Sequence, residues 1–231
     1  MSISENIESL KQEISDSALK VGRNPNEIKF IAVSKTKPVK DILEAYRTGI
    51  CDFGENRPQE IAEKFPHLPI GVRWHMIGHL QKNKVRHIID KVSLIHSVDD
   101  IALAEEIEKR AAAINKIQDI LLQVNISGEA SKSGFSPEDV SDACRTISGM
   151  QHIRIKGLMT ISVKGYSEEE NRMLFSKLKE LSDKIAEEKM ENVFMDELSM
   201  GMSGDYKEAI ETGATLIRVG TLIFGERDYI I

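Results

Sequence analysis

The stretch IKFIAVSKTKPVKDILEAYRTG, residues 28–49, contains one complete unit of a strand followed by a helix. Its first part, residues 28–34, is a nearly continuous apolar run, which is typical of a strand that is buried on both faces. Pro38 suits the first position of a helix, and apolar residues then recur at helical spacing until Gly49. The stretch therefore predicts a buried strand, a short polar loop and an amphipathic helix.

The same unit recurs along the chain of 231 residues, after an additional N-terminal helix predicted over residues 3–21. The predicted strands are residues 28–34, 51–53, 71–76, 94–97, 119–126, 153–160, 193–199 and 214–219. Later helices are predicted over residues 57–64, 82–89, 101–114, 138–150, 168–189 and 205–212. Eight such units favour a single α/β domain over residues 1–231, built as a (β/α)8 barrel of the TIM type. An open doubly wound sheet is the alternative.

Composition limits the class of protein and its location. The net charge of −6 argues against a nucleic-acid-binding surface, although a local basic pocket for a small phosphorylated molecule stays compatible with it. The polar N-terminus has no signal-peptide core, and no run approaches the ~18 apolar residues that span a bilayer. Two cysteines, Cys51 and Cys144, do not make a disulfide framework. We therefore expect a cytoplasmic protein that does not associate with membranes.

The lysine that follows the first predicted strand is the candidate nucleophile. Barrel enzymes carry their chemistry at the C-terminal ends of the strands, and Lys35 stands at that place. Burial there would favour the neutral amine, which attacks an aldehyde. The alternative is an ordinary surface lysine. Lys37, which we expect to be more exposed, is the second choice.

The loops after the seventh and eighth strands are candidates for phosphate binding. Residues 199–204, SMGMSG, combine two hydroxyl groups with two glycines, and Gly220 and Thr221 follow the last strand. Glycine exposes backbone N–H groups, which bind phosphate together with hydroxyl donors. Ordinary turn chemistry is the alternative. Arg218, within the last apolar run, must find an acceptor, either a buried carboxylate or a ligand.

Two histidines and an asparagine follow the second and third strands. His75 and His79 are four residues apart, but Gly78 lies between them, so the spacing does not match a zinc-binding helix, and we predict no metal. Hydrogen-bonded packing at the barrel rim is the favoured reading for His75. Asn56 either caps the next helix or faces the barrel opening.

Seven segments together resemble one known family. They are AVSKTKP (32–38), FGENRPQE (53–60), WHMIGHLQKNK (74–84), KSGF (132–135), GLMTI (157–161), LSMGMSGDY (198–206) and IRVGTLIFGERD (217–228). On these segments the chain resembles the pyridoxal phosphate (PLP) homeostasis protein family, also called the YggS/PROSC family. That family is similar to the N-terminal barrel domain of alanine racemase, which is fold type III among PLP-binding proteins.

The resemblance implies roles for nine residues of this chain. Lys35 would hold PLP as a Schiff base, and Arg218 would face the nitrogen of its pyridine ring. The phosphate would be held by Ser199, Ser203, Gly220 and Thr221. Asn56, His79 and Met202 would line the pocket.

The function that the resemblance implies is PLP homeostasis, with possible delivery of the cofactor to PLP-dependent apo-enzymes and without established catalytic turnover. The chain ends at Ile231, directly after the last barrel element, where alanine racemases continue into a second domain. We therefore expect a monomer that lacks a two-base racemase mechanism. A PLP-dependent amino-acid racemase or lyase is the alternative. A third hypothesis, independent of the resemblance, is a barrel enzyme that acts on a phosphorylated metabolite.

Overall fold

The computed structural model describes residues 2–129 and 132–226, whose centre is a closed barrel of eight parallel strands. The strands are β1 (Lys29–Val33), β2 (Asp52–Glu55), β3 (Arg73–Met76), β4 (Val92–Val98), β5 (Gln118–Gln123), β6 (Ile153–Met159), β7 (Val193–Met202) and β8 (Leu216–Val219). Each strand pairs with the next in the sequence, and β1 closes the barrel on β8, where Lys29 is opposite Leu216 and Ala32 is opposite Val219. The predicted barrel is confirmed, and the open sheet is wrong.

The helices follow the strands along the chain, as the repeated unit predicts. Their ranges are α1 (Ile3–Lys20), α2 (Val39–Arg47), α3 (Pro58–Lys64), α4 (Ile101–Ala112), α5 (Val140–Ser148), α6 (Glu168–Glu187), α7 (Tyr206–Glu211) and α8 (Thr221–Phe224). Within residues 2–129 and 132–226, no helix has the length and apolar character that crossing a membrane requires.

Helix α1 is the additional N-terminal helix, and it packs against α7 and α8. The Ser2 hydroxyl caps it by accepting a hydrogen bond from the Glu5 backbone, and the Glu5 carboxylate accepts one from the Ser2 backbone in return. Its apolar side, which includes Ile7 and Leu10, is fully buried. The Asn6 side chain donates a hydrogen bond to the Ile223 carbonyl at 2.9 Å. The first helix therefore holds the last helix in place.

The strands divide the apolar side chains between two cores because successive residues point to opposite faces. A cluster of five lies inside the barrel: Ile31, Leu94, Leu121, Met159 and Leu216. The larger cluster lies between the sheet and the helices. Burial of each such side chain contributes roughly 1.5–3 kcal/mol. The inner cluster fills the barrel, so polar chemistry is confined to its two ends and to a few inward-facing polar side chains.

The structure corrects three details of the predicted elements. Residues 82–87 form a 3₁₀ helix rather than an α-helix. Val85 and Ile88 are both buried, and their spacing of three residues suits a helix with three residues per turn. Pro38 is the residue before α2 rather than its first residue. Strand β7 continues to Met202, three residues beyond its predicted end, so it carries part of the predicted glycine-rich loop.

Candidate functional site

A cavity of about 270 Å³ opens at the C-terminal ends of the strands, which we call the barrel mouth. Its lining residues come from the ends of β1, β2, β3, β7 and β8 and from the segments that follow β6 and α8. They are Val33, Lys35, Lys37, Asn56, Ile77, Ile161, Met202, Ser203, Gly204, Arg218, Gly220, Thr221 and Gly225. The fold therefore places this cavity where TIM barrels carry their ligand sites.

Seven of the nine residues singled out in the sequence line this cavity, and two do not. The seven are Lys35, Asn56, Met202, Ser203, Arg218, Gly220 and Thr221. His79 lines two neighbouring cavities instead, its side chain is 61% exposed, and its Nδ1 atom is 3.1 Å from Asp99 Oδ2. Ser199 is fully buried below the cavity, where it contacts Arg218 and His96. Neither side chain lines this cavity, and their roles toward a ligand stay predictions.

Lys35 is half-buried in the loop between β1 and α2, and both of its neighbours are held by α3. Lys64 Nζ donates a hydrogen bond to the Ser34 carbonyl at 3.0 Å. On the other side, the Thr36 backbone N–H donates to Glu60 Oε2 at 2.8 Å. Thr36 also adopts a left-handed backbone conformation with φ of 66°. The segment that presents Lys35 is therefore fixed by side chains of the neighbouring unit.

Glu55, at the end of β2, holds the segment of Lys35 through Ser34 and Lys64. Its carboxylate accepts hydrogen bonds from the Ser34 hydroxyl and from Lys64 Nζ, both at 2.7 Å. Glu55 is fully buried, and burial raises its pKa to about 7 against the opposing attraction of Lys64. Its Oε2 atom is buried without a hydrogen-bond partner in the described part of the chain. Glu55 therefore takes up a proton close to neutral pH.

Asn56 reaches the cavity through a close approach of two loops. A Cβ atom on Gly78 would lie 2.4 Å from the Asn56 carbonyl oxygen, so any side chain there would push the two loops apart. The residue before α3 is Arg57, and no side chain caps that helix. The alternative role of Asn56 as the helix cap is therefore wrong, and it faces the mouth.

Arg218 is the buried cation of the cavity, with only 5% of its surface exposed. Its guanidinium donates hydrogen bonds to Ser199 Oγ at 2.6 Å and to the Thr160 carbonyl at 2.9 Å. Among residues 2–129 and 132–226, no carboxylate oxygen lies within 4 Å of it. Burial lowers the pKa of Arg218 to about 10, and the more distant charge of Asp205 opposes this only in part. The buried carboxylate partner considered for Arg218 is therefore absent from the described residues.

The start of the loop after β7 is held by hydrogen bonds to Asp205. One carboxylate oxygen of Asp205 accepts a hydrogen bond from the Met202 backbone at 2.5 Å, and the other accepts one from the Ser162 hydroxyl. The Ser203 hydroxyl accepts a hydrogen bond from the Gly220 backbone at 3.4 Å, which joins the loops after β7 and β8. Hydroxyl and N–H groups of two loops are thereby collected on one side of the cavity.

Lys37 is less exposed to solvent than predicted. It is half-buried rather than exposed, and its Nζ donates hydrogen bonds to the carbonyls of Phe224 at 2.8 Å and Glu226 at 3.1 Å. It thereby ties the loop of Lys35 to the segment after α8. The Arg227-Asp228 end of the last sequence motif lies outside the described residues.

His75 and His96 show what the sequence did and did not reveal. His75 is buried and hydrogen-bonded, as the favoured hypothesis states, but it lies toward the N-terminal ends of the strands, next to Asp52. His96 was missed, although a histidine within the apolar run Leu94-Ile95-His96 is the same kind of signal that singled out Arg218. In the described residues, no group of three or more His, Cys, Asp or Glu side chains is arranged to hold a metal ion.

The sequence matches a known family over nearly its whole length. Residues 3–228 match the model of the alanine racemase N-terminal domain family. A pyridoxal phosphate homeostasis protein from Aquifex aeolicus is 42% identical over 230 residues, covering 99% of this chain and all of the relative. The protein of that name from Escherichia coli is 36% identical, covering 98% of this chain and 97% of the relative.

Solved structures show the same similarity. The PipY protein of Synechococcus elongatus is 35% identical and covers 97% of this chain and all of its own, with TM-scores of 0.88 for the structure without PLP and 0.83 for the structure with PLP bound. An alanine racemase from Clostridium difficile superimposes with a TM-score of 0.74 over 95% of this chain and 57% of its own. At 15% identity, this second likeness concerns the fold alone.

Proposed function

This chain belongs to the pyridoxal phosphate homeostasis protein family, with the barrel of the alanine racemase N-terminal domain, and on that premise we propose that it binds PLP at the barrel mouth. The observation that carries the proposal is that Lys35 and the buried cation Arg218 line one cavity. The cofactor is held as a Schiff base on Lys35, and the protein acts in maintaining cellular PLP.

The residues of the cavity fit three polar groups of PLP, which are the aldehyde, the phosphate and the pyridine nitrogen. The aldehyde requires an amine, which Lys35 supplies. The phosphate requires hydroxyl and N–H donors, which the joined loops supply through Ser203, Gly220 and Thr221. The pyridine nitrogen requires a donor when it is unprotonated, and Arg218 has three N–H groups without a partner among the described residues.

Arg218 determines how the bound ring behaves. PLP supplies an electron sink when its pyridine nitrogen is protonated. A guanidinium carries no acceptor and stays charged at neutral pH, so it donates to the nitrogen instead of protonating it. Arg218 therefore weakens the electron sink, which suits a protein that holds the cofactor rather than one that uses it. Ser199 acts in this scheme by holding Arg218 rather than by contacting the phosphate.

Exposed residues at the mouth support transfer of PLP to apo-enzymes. Met202, Gly204, Thr221 and Gly225 all line the cavity and are exposed. A cofactor held between Lys35 and Arg218 would lie beside these exposed residues, where a partner protein could reach it. We further propose that residues 1–231 act as one domain, that the protein is a monomer, and that it works in the cytoplasm, where the two free cysteines stay reduced.

The proposal is tested by absorption spectra of the purified protein with and without PLP, followed by borohydride reduction and peptide mapping. We expect a band near ~420 nm and a reduced adduct on Lys35. Lys35→Ala should abolish both, whereas Lys40→Ala, which removes an exposed lysine of α2, should change neither. An adduct scattered over surface lysines, or no band, contradicts the proposal and favours the phosphorylated-metabolite enzyme.

A separate measurement distinguishes cofactor holding from amino-acid chemistry. Proton–deuterium exchange at Cα is followed for a panel of amino acids with the PLP-loaded protein. We expect no exchange above the rate that free PLP supports, because among the described residues that line the cavity there is no Asp, Glu, His, Cys or Tyr, and Lys37 is held by two backbone carbonyls. Exchange well above that rate would replace the proposal with a racemase or lyase.

A further inference from the structure

A continuous chain of polar side chains runs from Arg218 through the barrel interior to its other end. Arg218 Nη1 is 2.6 Å from Ser199 Oγ, which is 2.8 Å from His96 Nδ1. His96 Nε2 is 3.0 Å from His75 Nδ1, and His75 Nε2 is 3.0 Å from Asp52 Oδ1. The five residues come from five different strands, β8, β7, β4, β3 and β2. The chain therefore links the barrel mouth to the N-terminal end of β2.

The direction of the hydrogen bonds in this chain follows from its two ends, Arg218 and Asp52, when both histidines are neutral. At one end the Asp52 carboxylate only accepts and at the other Arg218 only donates, so with both histidines neutral the Ser199 hydroxyl oxygen accepts from Arg218 and its single proton goes to the unprotonated His96 Nδ1. His96 then carries its proton on Nε2 and donates it to His75 Nδ1. His75 in turn carries its proton on Nε2 and donates it to the Asp52 carboxylate. Each group has one partner on each side, so no member can reverse alone.

The surroundings keep the middle of the chain uncharged. His96 is fully buried, and burial, with the nearby charge of Arg218 acting in the same direction, holds its pKa well below the usual range. The Ser199 side chain is uncharged. Arg218 is thus held by an acceptor that leaves its full positive charge directed at the cavity, whereas a carboxylate in the same place would neutralise it.

We propose that Ser199, His96 and His75 are positioning residues that fix Arg218 in one orientation toward the cavity, and that Asp52 anchors them from the opposite end of the barrel. This inference rests on the proposed function only for its consequence, which is the strength of the contact with the pyridine nitrogen. The orientation itself is a property of the protein without cofactor. The chain makes Arg218 rigid before PLP arrives, which reduces the ordering that binding requires.

The first test uses the protein without PLP. Histidine tautomers are read from long-range proton–nitrogen NMR correlations of ¹⁵N-labelled protein. We expect both His96 and His75 to be unprotonated on Nδ1 and protonated on Nε2. We also expect separate Nη resonances for Arg218, since a held guanidinium rotates slowly. A proton on His96 Nδ1 would overturn the proposal, whatever the outcome for PLP binding.

The second test uses a matched pair of variants at one position. His96→Asn places an amide oxygen near the former Nδ1 atom and keeps an acceptor for Ser199. His96→Gln reaches toward His75 and leaves the Ser199 hydroxyl without its acceptor. We expect His96→Gln to merge the Arg218 resonances, to shift the absorption maximum of bound PLP and to weaken PLP binding about tenfold. His96→Asn should weaken PLP binding less than His96→Gln does, because it keeps the acceptor of the Ser199 hydroxyl and loses only the contact with His75.

Three outcomes are informative. Equal behaviour of the two variants, with Arg218 resonances as in the wild type, contradicts the positioning role. If both variants fail to fold, the histidine tautomers measured in the wild type decide whether the positioning role holds. If the wild type itself gives no PLP band, the proposed function fails, while the tautomers still decide the inference.

Discussion

The two ends of the barrel differ in how their charged side chains are paired. At the N-terminal ends of the strands, which we call the floor, cations and anions alternate in pairs: Arg73 with Asp52, Arg154 with Asp119, Lys29 with Glu197 and Lys156 with Asp196. At the mouth, Arg218 is buried without a carboxylate within 4 Å among the described residues, and it lines the cavity.

This difference in charge pairing indicates that the floor contributes to stability and that the mouth binds the ligand. The floor pairs are partly exposed to solvent and satisfy one another, so nothing there requires a ligand. Arg218 at the mouth is desolvated and retains N–H groups without a partner among the described residues, an arrangement that destabilises the protein until an acceptor binds. A barrel of this kind therefore keeps its ligand affinity at one end and its electrostatic balance at the other.

The largest expected effect is the loss of stabilisation by PLP when Arg218 at the mouth is replaced. Replacement of Arg218 by Met removes the donor for the cofactor and should eliminate most of the thermal stabilisation by PLP. For the wild type, PLP at a hundred times its Kd should stabilise by about 2.7 kcal/mol. Arg154→Met removes a floor cation that pairs with Asp119, outside the polar chain, and should leave that stabilisation unchanged. The measurement is thermal unfolding with and without PLP, and equal loss in both variants would mean that the two ends do not differ.

A second prediction concerns pH, because a carboxyl group near each end has a shifted pKa, which is raised at the buried Glu55 and lowered at the half-buried Asp52. The pKa of Glu55 is raised to about 7 from 4.5, so the folded state binds the extra proton between these values. Stability then falls as pH rises through this window, by on the order of 3 kcal/mol, since each tenfold change in proton affinity is about 1.4 kcal/mol. Unfolding free energies from pH 4 to 8 should show this fall in the wild type and not in Glu55→Gln.

The contribution of Asp52, at the floor, to the unfolding free energy should depend on pH with the opposite sign. Its hydrogen bonds from His75 and Arg73 lower its pKa despite the opposing effect of burial. Its stabilising contribution is therefore complete above the ordinary value of 3.8 and is lost as pH falls below it. The deficit of Asp52→Asn relative to the wild type should be constant from pH 5 to 8, and a deficit that grows across that range would contradict the assignment.

The smallest effect concerns a single floor pair. Lys29 Nζ is 3.3 Å from Glu197 Oε1, and the lysine side chain is largely exposed. Lys29→Met should change the unfolding free energy by less than about 1 kcal/mol, and added salt should reduce the difference further. Urea unfolding at low and high salt measures it. A loss of several kcal/mol would mean that the floor is not balanced by many weak pairs.

Much of the site could be predicted because it lies where apolar runs end. Lys35 directly follows the first run, and Ser203, Gly220 and Thr221 follow the last two, so their place at the mouth required only the parallel order of the strands. Arg218 was visible as a charge within an apolar run. The motif that contains His79 was recognised as well, but its side chain turns toward Asp99, a contact that no local pattern encodes.

The sequence by itself determined the eight repeated units, the additional first helix and the polar residues at the strand ends. These features follow from local periodicity, since burial on a strand or helix repeats every two or 3.6 residues. Only the tertiary structure decided that Arg218, Ser199, His96, His75 and Asp52 form one chain. Ser199 and His96 are 103 residues apart, and their contact depends on the register of all the strands and on closure of the barrel. Closure is a property of the whole sheet, so no single stretch of sequence specifies which inward-facing polar groups meet.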